Sequence, residues 1–519
     1  MPVTIDQLPD DPAVLKKLLA AERADADTRA KTIDALRKQI GDLLESLRLE
    51  RYRHYSARSE KAAAQQELFD EADSDEAIVL EQDSEERDTP PVQAKENKQR
   101  KTSRKPLPAD LPRVRQVVEL DEAERQCNCG CQLTEIGEQI SEQLDIIPAK
   151  VQVLQTVRKK YACKSCEEGI KTAPHPATLL PKAMASANTM AYIITAKYAD
   201  GLPLYRLSEI LKRHHIDLSR QTLSASVLAT AAKLEPFMEC LKTHLHQGNV
   251  LHMDETQVQV LNEAEKSAQS KSYMWVQRGG PPDRPVIHFT YDPSRAAAVP
   301  DRLLDNYQGV LMSDGYQPYR QVAAKKQLVH LCCWAHARRQ FVEAKKVQPK
   351  GKTGRADKAL QLIAKLYAVE KREQTSDAAK LQHTRQEHSV PVLQQLHAWL
   401  EKTQQQVPPK NAIGKAVNYT LKYWAELSRY TDNGAWPIDN NAAENAIRPF
   451  VIGRKNWLFS NSQNGAKASA NLYSLIETAK ANDREPYQYL CWLLNKLPET
   501  DPSELETLTP WNMEQLSTG

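Results

Sequence analysis

Asn249-Val250-Leu251-His252-Met253-Asp254 decides the fold. Its apolar and β-branched residues read as a strand, with Asp254 closing it and the polar Glu255-Thr256 leading the chain out of the core. The same device recurs sixty residues on. Gly309-Val310-Leu311-Met312-Ser313 reads as a short apolar strand, and Asp314-Gly315-Tyr316 as the turn that stops it. Between the two, Ser272-Tyr273-Met274-Trp275-Val276 and Val286-Ile287-His288-Phe289-Thr290-Tyr291 read as further strands, and 296–307 as a helix. Three strands, a helix and a fourth strand, with acids ending the first and fourth, is the order of a ribonuclease-H-like α/β core.

A third acid completes the pattern. Asp439-Asn440 offers a helix N-cap, after which Asn441, Glu444, Asn445 and Arg448 recur on one helical face. Three carboxylates that converge would suit a pair of hard divalent cations, Mg²⁺ or Mn²⁺, which take oxygen ligands and promote phosphoryl transfer. Taken singly, each acid is better read as an ordinary turn or surface residue.

Four segments carry a resemblance. Leu251-His252-Met253-Asp254-Glu255-Thr256, Met312-Ser313-Asp314-Gly315-Tyr316, 440–449 (NNAAENAIRP) and 453–459 (GRKNWLF) closely resemble the transposases of the insertion sequence 66 family. That resemblance spans nearly the whole chain. It implies an Asp-Asp-Glu enzyme that cuts and joins DNA strands with two Mg²⁺ (or Mn²⁺) ions per active site, held by Asp254, Asp314 and Glu444. It also implies two small accessory proteins encoded beside it. Two alternatives keep the same fold: a catalytically inactive zinc and helix-turn-helix DNA-binding regulator descended from a transposase, and a nuclease that cuts without joining.

At 519 residues, several units are expected. A net charge of +3 conceals segregation: 67–88 holds eleven acids against one Arg, whereas 320–358 holds eleven Lys or Arg against two acids. A polyanionic partner such as double-stranded DNA therefore fits. No run approaches the roughly 18 apolar residues of a membrane helix, and the first residues lack a signal-peptide layout, so a cytoplasmic, nucleoid-associated protein without a membrane partner is expected.

In order along the chain, 1–62 reads as a coiled-coil helix for self-association, on the three- and four-residue spacing of Ile33, Leu36, Ile40, Leu43 and Leu47. An acidic then basic linker occupies 63–106. Residues 107–182 read as a small module in which Cys127, Cys129, Cys131, Cys163 and Cys166 flank probable strands at 151–154 and 158–161. Four of these five would hold a structural Zn²⁺, with Cys129 and Cys131 competing for one place. The family carries a zinc-finger-like domain at this position.

Residues 183–244 have a helix-turn-helix layout, with Arg220, Gln221 and Thr222 starting the second helix and placed to reach base edges. The core occupies 245–345 and 433–497 around a helical insertion at 346–432, and 498–519 reads as a loose tail. Arg338, Arg339, Lys345 and Lys346 suit DNA-flank phosphates, and Arg448, Arg454 and Lys455 suit phosphates near the acids. Cys333 and His336 share a helix face and resemble a Cys-x-x-His feature of transposases with such an insertion. They read as a packed core pair, and no metal is assigned to them.

Overall fold

The computed structural model describes residues 11–55, 113, 115, 151–162, 170–181, 183–264, 266–347 and 354–514. The chain divides into two compact units, one formed by 1–77 with 177–513 and the other by 78–176 with 514–519. Within the smaller unit, β1 (Lys160–Ala162) and β2 (Ile170–Thr172) form an antiparallel hairpin. The strand expected over 151–154 is absent; those residues and Arg158-Lys159 are irregular, so the ladder begins only at Lys160. The acidic and basic linker and all five candidate zinc cysteines lie outside the described residues.

In the larger unit, α1 (Pro12–Tyr55) is a single 44-residue helix. Its seam stays open to solvent: Ile33, Leu36, Ile40, Leu43 and Leu47 are all about half exposed or more. No helix among the described residues is long and apolar enough to cross a membrane.

The helices α2 (Ala187–Tyr198), α3 (Leu204–Arg213), α4 (Arg220–Lys233) and α5 (Glu235–Leu245) precede a mixed sheet. Ser186 and Ser219 cap α2 and α4, each hydroxyl accepting the amide N–H three residues on. The sheet contains β3 (Val250–Asn262), β4 (Lys271–Gly279), β5 (Val286–Asp292), β6 (Val310–Ser313) and β7 (Val329–Cys332), with α6 (Ala298–Leu303) and α7 (Gln317–Lys325) between the later strands. Strand order is β5-β4-β3-β6-β7. The first three are antiparallel neighbours, and β3, β6 and β7 run parallel.

Two expectations need correction here. Asp254 does not end its strand, because β3 continues to Asn262 and pairs with β4 through Gln259 without a break in register. Burial along β3 falls at Leu251 and Met253 and then at Val258 and Val260, so the strand buries opposite faces in its two halves. The Asp254–Gln257 stretch lies at the changeover. The helix expected over 296–307 is also shorter, spanning Ala298–Leu303.

Beyond β7, α8 (Trp334–Lys346), α9 (Arg355–Arg372), α10 (Ala378–Thr384), a π turn (Arg385–Ser389), α11 (Val390–Gln404), α12 (Ala412–Lys422) and α13 (Trp424–Ser428) form a helical layer with its own core. Trp334 and Phe341 of α8 pack there with Leu362, Leu366, Leu396, Leu400 and Val417. Arg385 staples this layer from inside. Its guanidinium binds both Glu370 oxygens at 2.9 and 2.6 Å and donates to the Tyr430 and Asn433 carbonyls at 2.8 Å, which satisfies an otherwise costly buried charge.

The chain returns with α14 (Asn441–Trp457), β8 (Ser460–Ser462), α15 (Gln463–Ala481) and α16 (Pro486–Lys496). The described part of the expected loose tail is packed instead: Leu505, Leu508 and Met513 lie in the main core, because short 3-10 turns fold their apolar residues back onto it. Helix α15 covers the free edge of β5. Ser474 Oγ accepts the Phe289 N–H at 2.7 Å, and Thr478 Oγ1 accepts the Ile287 N–H and donates to the Ile287 carbonyl, both at 3.0 Å. An open strand edge is thereby satisfied by side chains. Replacing Ser474 by Ala or Thr478 by Val leaves buried edge groups unmet, and each should cost about 1–3 kcal/mol in urea unfolding; an unchanged midpoint would show that this edge does not need its hydroxyls.

Candidate active site

Pairing between β3 and β6 runs in parallel from Val250 with Val310 to His252 with Met312. Continued by two residues, that register brings Asp254 level with Asp314, the first residue past β6. The two acids thus share a sheet position although sixty residues separate them. One oxygen of each carboxylate accepts a local amide: Asp254 Oδ1 that of Glu255 and Asp314 Oδ1 that of Tyr316, both at 2.8 Å.

Glu444 comes from the first turn of α14 and is 2 % exposed. The helix is docked by the residue before it. Asn440 does not use its side chain as an N-cap; its amide donates to the Met253 carbonyl at 2.8 Å, and its Oδ1 lies 3.0 Å from His252 Nδ1. Asn440 is fully buried, so both contacts form away from competing water. A single amide therefore fixes the start of α14 against the backbone one residue before Asp254.

Burial and neighbouring charges shift the acids. Burial, then Glu255, Glu444 and Asp314, hold the Asp254 carboxyl well above the usual carboxylate range. Burial raises Asp314, against pulls from the Tyr316 amide and Arg295. Glu255 is raised by burial and then Asp314, and lowered by its bonds to Tyr319 and Arg295. Sequence reasoning used Glu255 only as an exit from the strand, yet its side chain is 2 % exposed. It takes the Arg295 guanidinium at 2.5 Å and the Tyr319 hydroxyl on its other oxygen. Arg295 in turn lies 3.9 Å from the Tyr316 ring centroid. The continuing β-pattern at Val258 and Val260 was the available signal that Glu255 stays inside a strand.

The turn carrying Asp314 is gripped by the helical layer. Tyr423 Oη donates to the Gly315 carbonyl, and a Cβ at Gly315 would come within 2.7 Å of the Tyr419 and Tyr423 side chains. Helix α8 reaches Glu444 directly. His336 Nδ1 lies 3.3 Å and Cys333 Sγ 3.9 Å from Glu444 Oε1, and Arg339 Nη2 lies 3.4 Å from Oε2. Burial and Arg339 push His336 down to about 3, so its imidazole is neutral. Cys333 is fully buried in a small apolar cluster with Met312 and Leu331, as expected, whereas His336 is only partly buried, and both reach Glu444. Arg339 faces inward to Glu444 instead of outward to a DNA flank, because α8 turns its Trp334 and Phe341 side into the helical layer. Arg338 is partly buried on the same helix.

On the other side of Glu255 a cleft of about 680 Å³ opens, lined by Thr256, Lys271, Tyr273, Arg295, Arg454 and others. Arg454 Nη1 lies 3.4 Å from Thr256 Oγ1. Arg448 is partly buried on α14, Lys455 is exposed, and Asn445 points to solvent rather than along the polar stripe. Trp457 packs on Tyr198 and Tyr473 with the Lys197 ammonium 4.2 Å from its ring, whereas Phe459 is 41 % exposed. Arg220, Gln221 and Thr222 are all exposed at the start of α4.

Comparison with known proteins identifies the family. A family model described as "Transposase IS66 family" matches residues 182–468, spanning all three acids. Others match 124–167 ("zinc-finger binding domain of transposase IS66"), 474–511 ("IS66 C-terminal element") and 42–115 ("Transposase C of IS166 homeodomain"). Two similar proteins from Sinorhizobium fredii (strain NBRC 101917 / NGR234) bear the names "Uncharacterized protein y4jD" and "Uncharacterized protein y4hP". The first is 33% identical over 78% of this chain and 81% of its own length, the second 30% identical over 80% and 77%. With over half its length matched by the first of these models, the chain belongs to the IS66 family of transposases.

Proposed function

We propose that this protein cuts the DNA ends of an insertion sequence and joins them to target DNA, with Asp254, Asp314 and Glu444 as the ligands of two hard divalent cations. The observation that carries this reading is the strand register that sets Asp254 level with Asp314, with Glu444 close enough that, after burial and Glu255, it and Asp314 raise the Asp254 carboxyl. A cluster of buried like charges is costly unless cations compensate it, and an all-oxygen donor set suits Mg²⁺ or Mn²⁺. When bound, such a pair would activate the attacking oxygen and neutralise the leaving one. Strand order β5-β4-β3-β6-β7, three antiparallel strands followed by two parallel ones, supports a ribonuclease-H-like core.

The chain's own residues have the remaining tasks. Asn440 holds Glu444 beside β3, and Tyr423 holds the Asp314 turn. Arg295 and Arg454 place cationic groups along the cleft beside the acids, where a DNA phosphate would lie, with Arg448 and Lys455 extending the basic face of α14. Arg338 sits on α8 for the flanking duplex. The exposed Arg220, Gln221 and Thr222 opening α4 suit insertion into a major groove. The open apolar seam of α1 suits self-association. Four of Cys127, Cys129, Cys131, Cys163 and Cys166, all inside the zinc-finger match, would hold the structural Zn²⁺. Accessory proteins from the same element remain part of this reading.

Incubating the protein with labelled element-end DNA, target DNA and Mg²⁺ tests the proposal. Strand joining supports it, cleavage alone indicates a nuclease, and binding without cleavage indicates a regulator. Asp254→Ala, Asp314→Ala and Glu444→Ala should each lower cleavage by about a thousand-fold or more while end binding persists; a fully active Glu444→Ala protein would remove that residue from the site.

The raised acids also predict a pH dependence. The folded protein holds the Asp254 proton to higher pH than the unfolded chain does, so the associated stability is present below the unfolded carboxylate range and is lost as pH rises through the raised value. Metal-free protein should therefore melt at lower temperature as pH increases above that range. Mg²⁺ should restore the loss, and Asp254→Asn should melt higher than the parent at pH 8 without metal. Thermal melts across pH with and without Mg²⁺ check this; an Asp254→Asn protein no more stable than its parent would contradict it.

A further inference from the structure

We infer that Cys333, His336 and Glu444 form a site for one soft divalent transition-metal ion of the Zn²⁺ class, separate in chemistry from the all-oxygen pair and sharing only Glu444 with it. The three ligand atoms all lie within 4.8 Å of one another. Tetrahedral zinc with ordinary bond lengths sets neighbouring ligand atoms roughly 3.3–3.6 Å apart. His336 Nδ1 lies 3.3 Å and Cys333 Sγ 3.9 Å from the same oxygen, Glu444 Oε1. The second of these is long for a hydrogen bond but within a few tenths of an ångström of a shared coordination edge.

Local structure brings these atoms together without an ion. Cys333 is the residue before α8 and His336 lies in its first turn, so the i, i+3 spacing places both on one side of the helix start. Glu444 enters from the first turn of α14, 111 residues after Cys333. Arg339 engages the far oxygen, Oε2, which leaves Oε1 turned toward the thiol and the imidazole. The Asn440 N–H donates to Cys333 Sγ at 3.2 Å and fixes the sulfur relative to α14. A thiolate, an imidazole and a carboxylate select Zn²⁺ or Co²⁺ over Mg²⁺, since sulfur and nitrogen are soft ligands and hard ions prefer oxygen.

Binding at this site stands on geometry alone. Its consequence rests on the catalytic reading of Glu444: a carboxylate engaged by the soft ion is withdrawn from the Asp254–Asp314 side, so Zn²⁺ inhibits a Mg²⁺-dependent reaction. The test uses the full chain, stripped of metal and titrated with Co²⁺ in excess Mg²⁺. The cysteine-rich segment contributes equally to parent and variants, so the difference between them reports the new site. The parent should bind one more equivalent of Co²⁺ than Cys333→Ser or His336→Gln, and part of its thiolate-to-cobalt absorption should vanish in Cys333→Ser. Cys333 is fully buried, so His336→Gln, at a side chain 23 % exposed and with folding verified by circular dichroism, carries the test if Cys333→Ser does not fold. Equal stoichiometry in parent and folded His336→Gln would overturn the site. In end cleavage, each protein measured against its own rate without Zn²⁺, the half-inhibiting Zn²⁺ concentration should rise at least about ten-fold in His336→Gln. An extra equivalent with no inhibition would overturn the competition while leaving the site, and protein that never cleaves would refute the catalytic reading while the metal count still stands.

Discussion

Dehydration of carboxylates, with their mutual repulsion added to it, is the constraint on which this molecule depends. Asp254, Glu255, Asp314 and Glu444 come together in a partly dehydrated space, and the raised Asp254 carboxyl reflects it. Such a cluster does not assemble itself. It is imposed by ties that carry no net charge or only balanced charge. The Asn440 amide locks α14 to β3, the Tyr423 hydroxyl grips the Gly315 carbonyl, and Arg295 neutralises Glu255. Neutral hydrogen bonds buried away from water are well suited to this, because leaving their partners unmet is more costly than forming them is favourable.

Helix α8 links the helical layer to Glu444. Trp334 and Phe341 anchor it in the helical layer, and the Trp334 indole donates to the Leu427 carbonyl at 2.7 Å. Its other side presents His336 and Arg339 to Glu444. The helical layer also reaches the sheet through Arg429, whose guanidinium donates to the His330 carbonyl of β7 at 2.7 Å, and through Arg320 of α7, 2.7 Å from Glu426. An insertion of this size is therefore built into the geometry of two of the three acids rather than appended to the core. Displacing α8 would move the partners of Glu444 as a group.

Much of this was legible in the residues. Apolar runs before Asp254 and Asp314 marked adjacent strands, and the spacing around Glu444 marked a helix, because period-2 and period-3.6 patterns are local properties. The long loop between Asp314 and Glu444, rich in Leu, Gln and Lys, marked helices. What failed to show has physical causes. Asp254 looked like a strand end because polar residues follow it, whereas β3 exchanges its buried face there and needs no turn. Arg339 looked like a surface cation because its partner lies 105 residues away. Glu255 looked incidental for the same reason, its two partners standing 40 and 64 residues later. The tail looked loose because 3-10 turns have no long hydrophobic period, yet they bury Leu505 and Leu508.

The closure of β5 has a consequence for biosynthesis. Its outward amides at Ile287 and Phe289 are met by hydroxyls 191 and 185 residues later in the chain. While the polypeptide is still emerging from a ribosome, that margin of the sheet has nothing to pair with until the segment beyond Thr478 is released. A copy of the element truncated before that point would make a protein with a bare, apolar β margin, prone to dock onto its neighbours.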